Sequence, residues 1–309
     1  MVRAAREAVT SRSHGVIPDP RANRWWRGIA VLAVLAVAIL ACRNSSDDAA
    51  KGPRIISIGG SVTEIAFALG AGDQIIAVDT SSVFPESARA LPKVGYQRTL
   101  AAEGILSLQP TLILAADEAG PPSTIEQLTS AGVPVQRFPN AIDLPSTLAR
   151  IQLVGAALHR DKEAAALAAK VSAEANAALA KVPPTGPSFV VMFGHGGGSM
   201  MAAGTNTSGA AMVALAGGHN AVSSFAGYKA VSAEALVAAA PDVIVVPEFT
   251  LKMSGGIDGV LALPGVAETP AGRNRRIVAF DDLLLLGFGP RLGTGIEELS
   301  RALHSAPAT

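Results

Sequence analysis

Residues 103–114 read EGILSLQPTLIL and residues 234–245 read EALVAAAPDVIV, so one pattern occurs twice, 131 residues apart. Glutamate, proline and isoleucine recur at the same positions, with aliphatic residues between them. Each copy predicts a short helix followed by a buried strand. Chance matching in an alanine-rich chain is the alternative. A true repeat predicts two similar α/β lobes.

The sequence around each copy alternates short apolar strands with helices. The strands predicted in the first lobe are 54–58, 74–78, 111–115 and 133–138, and the helices are 61–69, 103–108 and 124–131. In the second lobe the strands are 189–193, 200–203, 242–246 and 276–280, and the helices are 208–215, 232–239 and 293–304. In the first lobe, continuous apolar strands between helices favour a parallel sheet covered on both faces.

One long helix is predicted between the lobes. Residues 162–181 are rich in alanine, and a helix of this length spans ~30 Å. Prolines 183, 184 and 187 then end it. The fold class is therefore α/β, with two similar lobes joined by a backbone helix and a ligand cleft between them. The predicted segments are a signal peptide (1–41), a lipidated cysteine with a polar tether (42–52), an N-terminal lobe (53–143), linking helices (144–182) and a C-terminal lobe (183–309).

The first 41 residues resemble a secretory leader. They carry six arginines against Glu7 and Asp19, and residues 29–41 are an uncharged apolar run. Thirteen residues are too short to cross a bilayer as a helix. Residues 39–42 read ILAC, which resembles the lipobox of bacterial lipoproteins, with Cys42 as the lipidated residue. A plain cleaved signal or an uncleaved anchor is the alternative.

The composition excludes several classes of protein. With 49% hydrophobic and 16% charged residues, the chain is not disordered. The chain is neutral overall and its leader has a net charge of +4, so the rest carries −4, which excludes a phosphate-neutralising nucleic-acid binder. A single cysteine excludes a disulfide framework. The sequence lacks the glycine motifs of nucleotide sites and the G-x-S-x-G and H-E-x-x-H motifs of common hydrolases.

Four segments carry a resemblance to a known family. They are RIISIGGSVTEIAFALGAGDQIIAVDTSS (54–82), LPKVGYQRTLAAEGILSLQPTLILA (91–115), MFGHGGGSMMAAGTNTSG (192–209) and GYKAVSAEALVAAAPDVIVV (227–246). The chain resembles the substrate-binding proteins of bacterial ABC importers that carry siderophores, cobalamin or haem, and most of all the haem (haemin) carriers. The resemblance implies a monomeric carrier, not an enzyme, held by its lipid anchor in the periplasm or at the cell surface. It also implies delivery of ferric haem to an ABC permease dimer with ATPase subunits.

The resemblance assigns the haem-iron ligand to Tyr96. Tyr96 lies in the segment KVGYQR, and only one other tyrosine, Tyr228, occurs in the chain. A phenolate is a hard anion that suits ferric iron. Because free phenols are protonated at neutral pH, a nearby cation is needed, and Arg98 is placed to supply it. Lys93 is a candidate partner for a haem propionate. The alternative is a half-buried loop tyrosine with a hydrogen-bonded hydroxyl.

His195 lies in a glycine loop, residues 193–198, that leaves the first strand of the second lobe. Some haem carriers use a histidine at this place, so His195 is a candidate further iron ligand; otherwise it only lines the pocket. Met200 and Met201 are expected to make soft apolar contacts with the macrocycle.

Glu103 and Glu234 begin the repeated helices, where a carboxylate also favours the helix dipole. The resemblance implies that one glutamate in each lobe docks on the permease. Glu64 is interpreted differently: the sequence SVTE (61–64) fits a helix capping box.

Three alternative functions remain open. A ferric siderophore or cobalamin carrier would share the fold. Arginine clusters and tryptophans would favour a ferric siderophore, but the only tryptophans, Trp25 and Trp26, lie in the leader. An α/β hydrolase would need a nucleophile and base pair. A zinc or manganese carrier would need clustered histidine and carboxylate ligands.

Overall fold

The first lobe is built on a four-stranded parallel sheet. The computed structural model describes residues 52–194 and 200–305. The strands of this sheet are β1 (Ile55–Ile58), β2 (Ile75–Val78), β3 (Leu112–Ala116) and β4 (Val135–Phe138). They lie in the order β2-β1-β3-β4, and each neighbouring pair is parallel. The helices are α1 (Gly60–Ala68), α2 (Glu86–Arg89), α3 (Ala102–Leu106) and α4 (Pro122–Ser130).

Two helices connect the lobes. Helix α5 (Leu144–Ala157) begins with a reciprocal capping box between Asp143 and Ser146. Helix α6 (Asp161–Leu179) has 19 residues and lies where the alanine-rich run 162–181 predicted a long helix. The two helices pack closely at Gly155, where an added Cβ would collide with Ala164. Small residues at this contact therefore fix the distance between α5 and α6.

The second lobe contains a mixed sheet of six strands. They are β5 (Ser188–Gly194), β6 (Met200–Ala203), β7 (His219–Asn220), β8 (Tyr228–Ala230), β9 (Val243–Pro247) and β10 (Ile277–Phe280). The order is β10-β9-β5-β6-β8, and β7 pairs with β5. Strands β5, β9 and β10 are parallel, whereas β6 and β8 are antiparallel to their neighbours. The helices are α7 (Ser208–Leu215), α8 (Ala233–Ala239), α9 (Glu248–Met253), α10 (Ile257–Leu261), α11 (Pro270–Arg273), α12 (Asp282–Leu286) and α13 (Leu292–His304).

Helix α6 is the shared support of both lobes. It packs against α5 on one side and against α13 on the other. At Gly293 of α13, an added Cβ would lie 2.8 Å from the carbonyl carbon of Glu174. One hydrophobic core runs through this joint and contains residues of β1, α6 and α13, including Ile55, Val171 and Leu299. Two further cores cover the other face of each sheet.

The repeated pattern forms equivalent elements. Helix α3 precedes β3 as α8 precedes β9, and in both copies the strand begins nine residues after the glutamate, from 103 to 112 and from 234 to 243. Strands β1 and β5 occupy the same place beside β3 and β9. The predicted α/β fold with two lobes on a backbone helix is therefore confirmed. The helices α2 and α9–α12 were not predicted. The predicted leader, Cys42 and the predicted tether up to residue 51 lie outside the described residues.

Candidate functional site

The loop that carries Tyr96 is tied to the carboxyl end of β2. The backbone N–H of Thr80 donates to the carbonyl of Gly95 over 2.9 Å, and that of Thr99 donates to the carbonyl of Tyr96 over 2.9 Å. The second bond closes a turn that contains Arg98, whose side chain is exposed. The Tyr96 side chain is 43% exposed. A ligand at this edge of the sheet can therefore reach both side chains.

The buried carboxylate of Asp79 organises the loop after β2. It accepts hydrogen bonds from the backbone N–H groups of Gly59 (2.8 Å) and Ser81 (2.9 Å) and from the hydroxyls of Ser81 and Ser82 (2.6 Å each). Its side chain is fully buried. Sequence analysis missed this group, although an aspartate and two serines directly after a buried strand are a recognisable signal for a local turn.

The Lys93 ammonium is engaged with the same loop. It donates to the backbone carbonyls of Ser82 and Ala88, each over 3.2 Å. Partial desolvation lowers the pKa of Lys93, and the charge of Asp79 opposes this shift. A contact with a ligand carboxylate would compete with these two bonds. The role of Lys93 toward a propionate stays a prediction.

The first lobe has two exposed apolar side chains after β2. Val83 is 42% exposed and Phe84 is 39% exposed, and both follow the loop organised by Asp79. Exposed side chains of this size are uncommon in this otherwise well-packed lobe. Both lie in the chain segment that follows the carboxyl end of β2.

The second lobe has an exposed apolar surface on α9. Phe249 is 58% exposed and Met253 is 57% exposed, and they lie on one face of α9 because they are four residues apart. The backbone N–H of Phe249 donates to Asp282 over 3.1 Å, and burial raises the pKa of Asp282. Sequence analysis missed this surface because α9 is too short to show a helical period.

Helix α9 lies next to the end of β5, where the glycine loop begins. An added Cβ at Gly194 would lie 3.6 Å from Cγ2 of Thr250 on α9. His195 follows Gly194 directly and lies outside the described residues, as do residues 196–199. The role of His195 stays a prediction.

The two predicted methionine contacts differ in burial. Met200 is 8% exposed and packs in the core of the second lobe with Val190 and Met192. Met201 alternates to the other face of β6 and is partly exposed. Of this pair, Met201 is therefore the better placed for a ligand.

The other tyrosine has a packing role. The ring of Tyr228 meets that of Phe193 edge-on, with centroids 5.1 Å apart, and its hydroxyl lies 3.2 Å from that of Ser208. The ring is therefore packed against an aromatic neighbour, and the hydroxyl has a hydrogen-bond partner. It contrasts with the open position of Tyr96.

Glu103 and Glu234 occupy equivalent surfaces. Each lies in the first turn of its helix, α3 or α8, and each side chain is exposed. The helix that carries each glutamate precedes a central strand of its lobe. Both are accessible to a partner, and docking stays a prediction.

The capping-box interpretation of Glu64 is wrong. Helix α1 begins after Gly59, and no side chain caps its N-terminus. Glu64 lies one turn inside the helix, is 4% exposed, and pairs with Arg291 of the second lobe. The four-residue pattern at 61–64 gave no information about a partner 227 residues away.

The start of α1 in the first lobe meets α12 of the second lobe near the Glu64–Arg291 pair. Gly60 directly follows the loop after β1, and an added Cβ there would lie 2.8 Å from Cδ1 of Leu283 in α12. Arg150 of the connecting helix α5, which packs against α1 of the first lobe, is 3% exposed and donates to the carbonyls of Gly287 and Phe288, the latter over 2.7 Å. The inter-lobe contact is thus polar and buried.

Residues 52–194 and 200–305 lack two features. No helix in this part of the chain is long and apolar enough to cross a membrane. No group of three or more histidine, cysteine, aspartate or glutamate side chains in the same part could hold a metal ion.

Comparison with known proteins gives consistent results. The family model described as "Periplasmic binding protein" matches residues 55–283. The periplasmic haem-binding protein RhuT from Roseiflexus sp. RS-1, solved in apo form, is 43% identical with a TM-score of 0.79, over 82% of this chain and 98% of that chain. The periplasmic haem-binding protein BhuT, solved with two haems, is 43% identical with a TM-score of 0.75, over 81% and 97% of the two chains.

Two curated relatives complete the comparison. The ABC transporter substrate-binding lipoprotein YvrC of Bacillus subtilis (strain 168), described as uncharacterized, is 27% identical over 277 residues, or 88% of this chain and 86% of the relative. A vitamin B12-binding protein of Yersinia pestis (strain Pestoides F) is 36% identical over 121 residues, only 39% of this chain and 38% of the relative. The matched family model spans most of both lobes, so the chain belongs to the periplasmic binding protein family.

Proposed function

We propose that this protein captures ferric haem outside the cytoplasm and delivers it to the permease of an ABC importer. One observation carries the proposal: Tyr96 is 43% exposed, at the carboxyl edge of the first sheet, in a chain 43% identical to two haem-binding proteins. Carrier proteins of this family bind and release a ligand. We therefore assign it no catalytic reaction.

Tyr96 is the proposed iron ligand. Its phenolate would bind ferric iron, and the exposed guanidinium of Arg98 in the same turn would favour the ionised form. The side chain of Val83 and the ring of Phe84 would cover one face or edge of the macrocycle. Burial of these apolar atoms would contribute roughly 25 cal/mol for each Å² removed from water.

The second lobe would supply the opposite wall. Phe249 and Met253 are exposed on α9, and an aromatic ring and a thioether are suited to a flat aromatic ligand. Met201 would add a partly exposed thioether. His195 remains a candidate further iron ligand from the adjoining glycine loop.

A titration with haemin tests the proposal. The chain beginning at Cys42 would be titrated and followed by visible absorption, because it contains no tryptophan for fluorescence quenching. Cyanocobalamin would be titrated in parallel, since the partial match to a B12-binding protein favours cobalamin as the second candidate. Saturable binding of haemin alone supports the proposal. Saturable binding of cobalamin alone would replace it, and binding of neither would refute both.

We further propose that Glu103 and Glu234 dock on arginines of the permease dimer, whose ATPase subunits drive release. The double change Glu103→Gln and Glu234→Gln should abolish haem uptake in proteoliposomes and leave haemin affinity unchanged. Glu126→Gln, on the exposed surface of α4, is the matched control. Uptake by the double variant at the control rate would contradict the docking role.

Membrane attachment is proposed to occur through a lipid on Cys42. The residues after it, 43–52, are mostly polar or small and would act as a tether. Metabolic labelling with a radioactive fatty acid should mark the full chain and not a Cys42→Ser variant. Equal labelling of both would contradict the proposal.

A further inference from the structure

A buried ion pair joins the two lobes at the edge of the proposed ligand site. Nε of Arg291 donates to Oε1 of Glu64 over 2.9 Å, and its NH2 group donates to Oε2 over 3.2 Å. Glu64 lies on α1 of the first lobe, and Arg291 directly precedes α13 of the second. The side chain of Glu64 is 4% exposed and that of Arg291 is 25% exposed. Such a two-point contact fixes the orientation of the guanidinium.

The same guanidinium lies on an aromatic ring of the first lobe. The Cζ atom of Arg291 is 3.8 Å from the centre of the Phe84 ring. A guanidinium stacks well on an aromatic face, and here the ion pair already fixes its plane. Phe84 is 39% exposed, so part of its surface remains available to a ligand. We call Glu64, Arg291 and Phe84 the inter-lobe clamp.

The backbone that carries Arg291 is also held by the connecting helix α5, which packs against α1 of the first lobe. The buried guanidinium of Arg150 binds the carbonyls of Gly287 and Phe288, just before Arg291. At Gly289 an added Cβ would lie 3.3 Å from Oε2 of Glu64, so the chain passes close to that carboxylate. The position of Arg291 relative to the first lobe is therefore set by both backbone and side-chain contacts.

We propose that Arg291 is a positioning residue for the ligand, acting through Phe84 and held by Glu64. This inference rests on the proposed haem function. The clamp couples the distance between the lobes to the orientation of one ring at the rim of the cleft. A ring held in place before binding loses little conformational entropy when the ligand arrives. Without Arg291 the ring becomes mobile, and the ligand has to order it.

The expected effect appears mainly in the dissociation rate of haem. Arg291→Gln and Glu64→Gln should each release haem about fivefold faster, which corresponds to about 1 kcal/mol of binding free energy. Arg291→Lys keeps the charge and loses the planar two-point contact, so it should recover only part of the effect. In a Phe84→Leu background, Arg291→Gln should have little further effect, because both changes remove the same contact.

Two measurements test the proposal on the chain beginning at Cys42. Release of haem to excess apomyoglobin gives the dissociation rate. Hydrogen exchange without haem gives the protection of the amides of Thr80, Ser82 and Val83, which are hydrogen-bonded in the loop before Phe84. Arg301→Gln is the matched control, because Arg301 lies on α13 and pairs only with the exposed Glu297 of the same helix in the described part of the chain.

The outcomes distinguish failure of the positioning role of Arg291 from failure of the proposed haem function. Faster release together with faster exchange in Arg291→Gln, and neither in Arg301→Gln, supports the positioning role. Faster hydrogen exchange with an unchanged rate of haem release would mean that the clamp is a structural contact without effect on the ligand. Faster haem release with unchanged exchange would mean that Arg291 does not act through Phe84. Either result overturns the proposal. Failure of the parent chain to bind haemin would instead overturn the proposed function on which it rests.

Discussion

Replacement of Arg150 by methionine should be strongly destabilising. The Arg150 guanidinium is buried and donates to the carbonyls of Gly287 and Phe288, which joins the connecting helix α5 to the second lobe. Burial lowers the pKa of Arg150 to about 10, so the group remains charged at neutral pH, and Glu118 and Glu64 are the carboxylates whose charges oppose this shift. Methionine would fill much of the same space and supply no donor.

The magnitude follows from the two carbonyls. A buried acceptor left without a donor costs about 1–3 kcal/mol, so the two together should cost about 2–6 kcal/mol. The apolar side chain of methionine offsets part of this loss, and we expect a net decrease of about 3 kcal/mol in the free energy of unfolding. That is a large part of the about 5–15 kcal/mol typical of a folded protein.

Urea unfolding followed by circular dichroism measures this change. Arg301→Met on the surface of α13 is the matched control and should change the free energy of unfolding by less than about 0.5 kcal/mol. A loss below about 1 kcal/mol in Arg150→Met would show that the two carbonyls are satisfied without Arg150. The reasoning about the lobe interface would then be refuted.

Three further changes probe other parts of the structure. Burial raises the pKa of Glu64 and Arg291 opposes the shift, so Arg291→Gln should raise it further. The destabilisation, about 3–5 kcal/mol at neutral pH, should then shrink as the pH falls and Glu64 takes up a proton; a loss in urea unfolding that does not depend on pH would contradict this. Gly293→Ala should lower the unfolding midpoint by the equivalent of about 1–3 kcal/mol, because its Cβ would lie 2.8 Å from the backbone of α6. The control Gly104→Ala has open space around it and should be neutral or stabilising. Equal unfolding midpoints for Gly293→Ala and Gly104→Ala would contradict close packing of α13 on α6 at Gly293. Asp79→Ala should lower the free energy of unfolding by about 2–4 kcal/mol and speed proteolysis of the loop after β2, because four donors lose their acceptor. An unchanged rate of cleavage would contradict the role of Asp79 in ordering this loop.

Local sequence signals were sufficient for the main architecture. The alanine-rich run predicted 162–181 as a helix, and α6 covers Asp161–Leu179. The apolar run at 242–246 predicted a strand, and β9 covers Val243–Pro247. These elements are set by composition and by proline and glycine at their ends, which are readable over a short window.

Contacts between distant residues could not be read in this way. Glu64 fitted a local capping pattern, whereas its partner Arg291 is 227 residues away and is brought near by tertiary packing, including that of α13 on α6. The apolar surface of α9 was missed because six residues are too few to show a period. Tyr96 was assigned from the family resemblance carried by the segment KVGYQR, and its role stays a prediction. The residues at the contact between the lobes were not predicted.

The most direct test of the account is the absorption spectrum of haemin bound to Tyr96→Phe. Tyr228→Phe is the matched control, because it removes the hydroxyl of the other tyrosine, which contacts Ser208. We expect saturable binding with a tyrosinate-type spectrum in the parent chain and in Tyr228→Phe. Loss of that spectrum in Tyr96→Phe alone would agree with iron ligation by Tyr96. An unchanged spectrum and affinity in Tyr96→Phe would contradict the central claim.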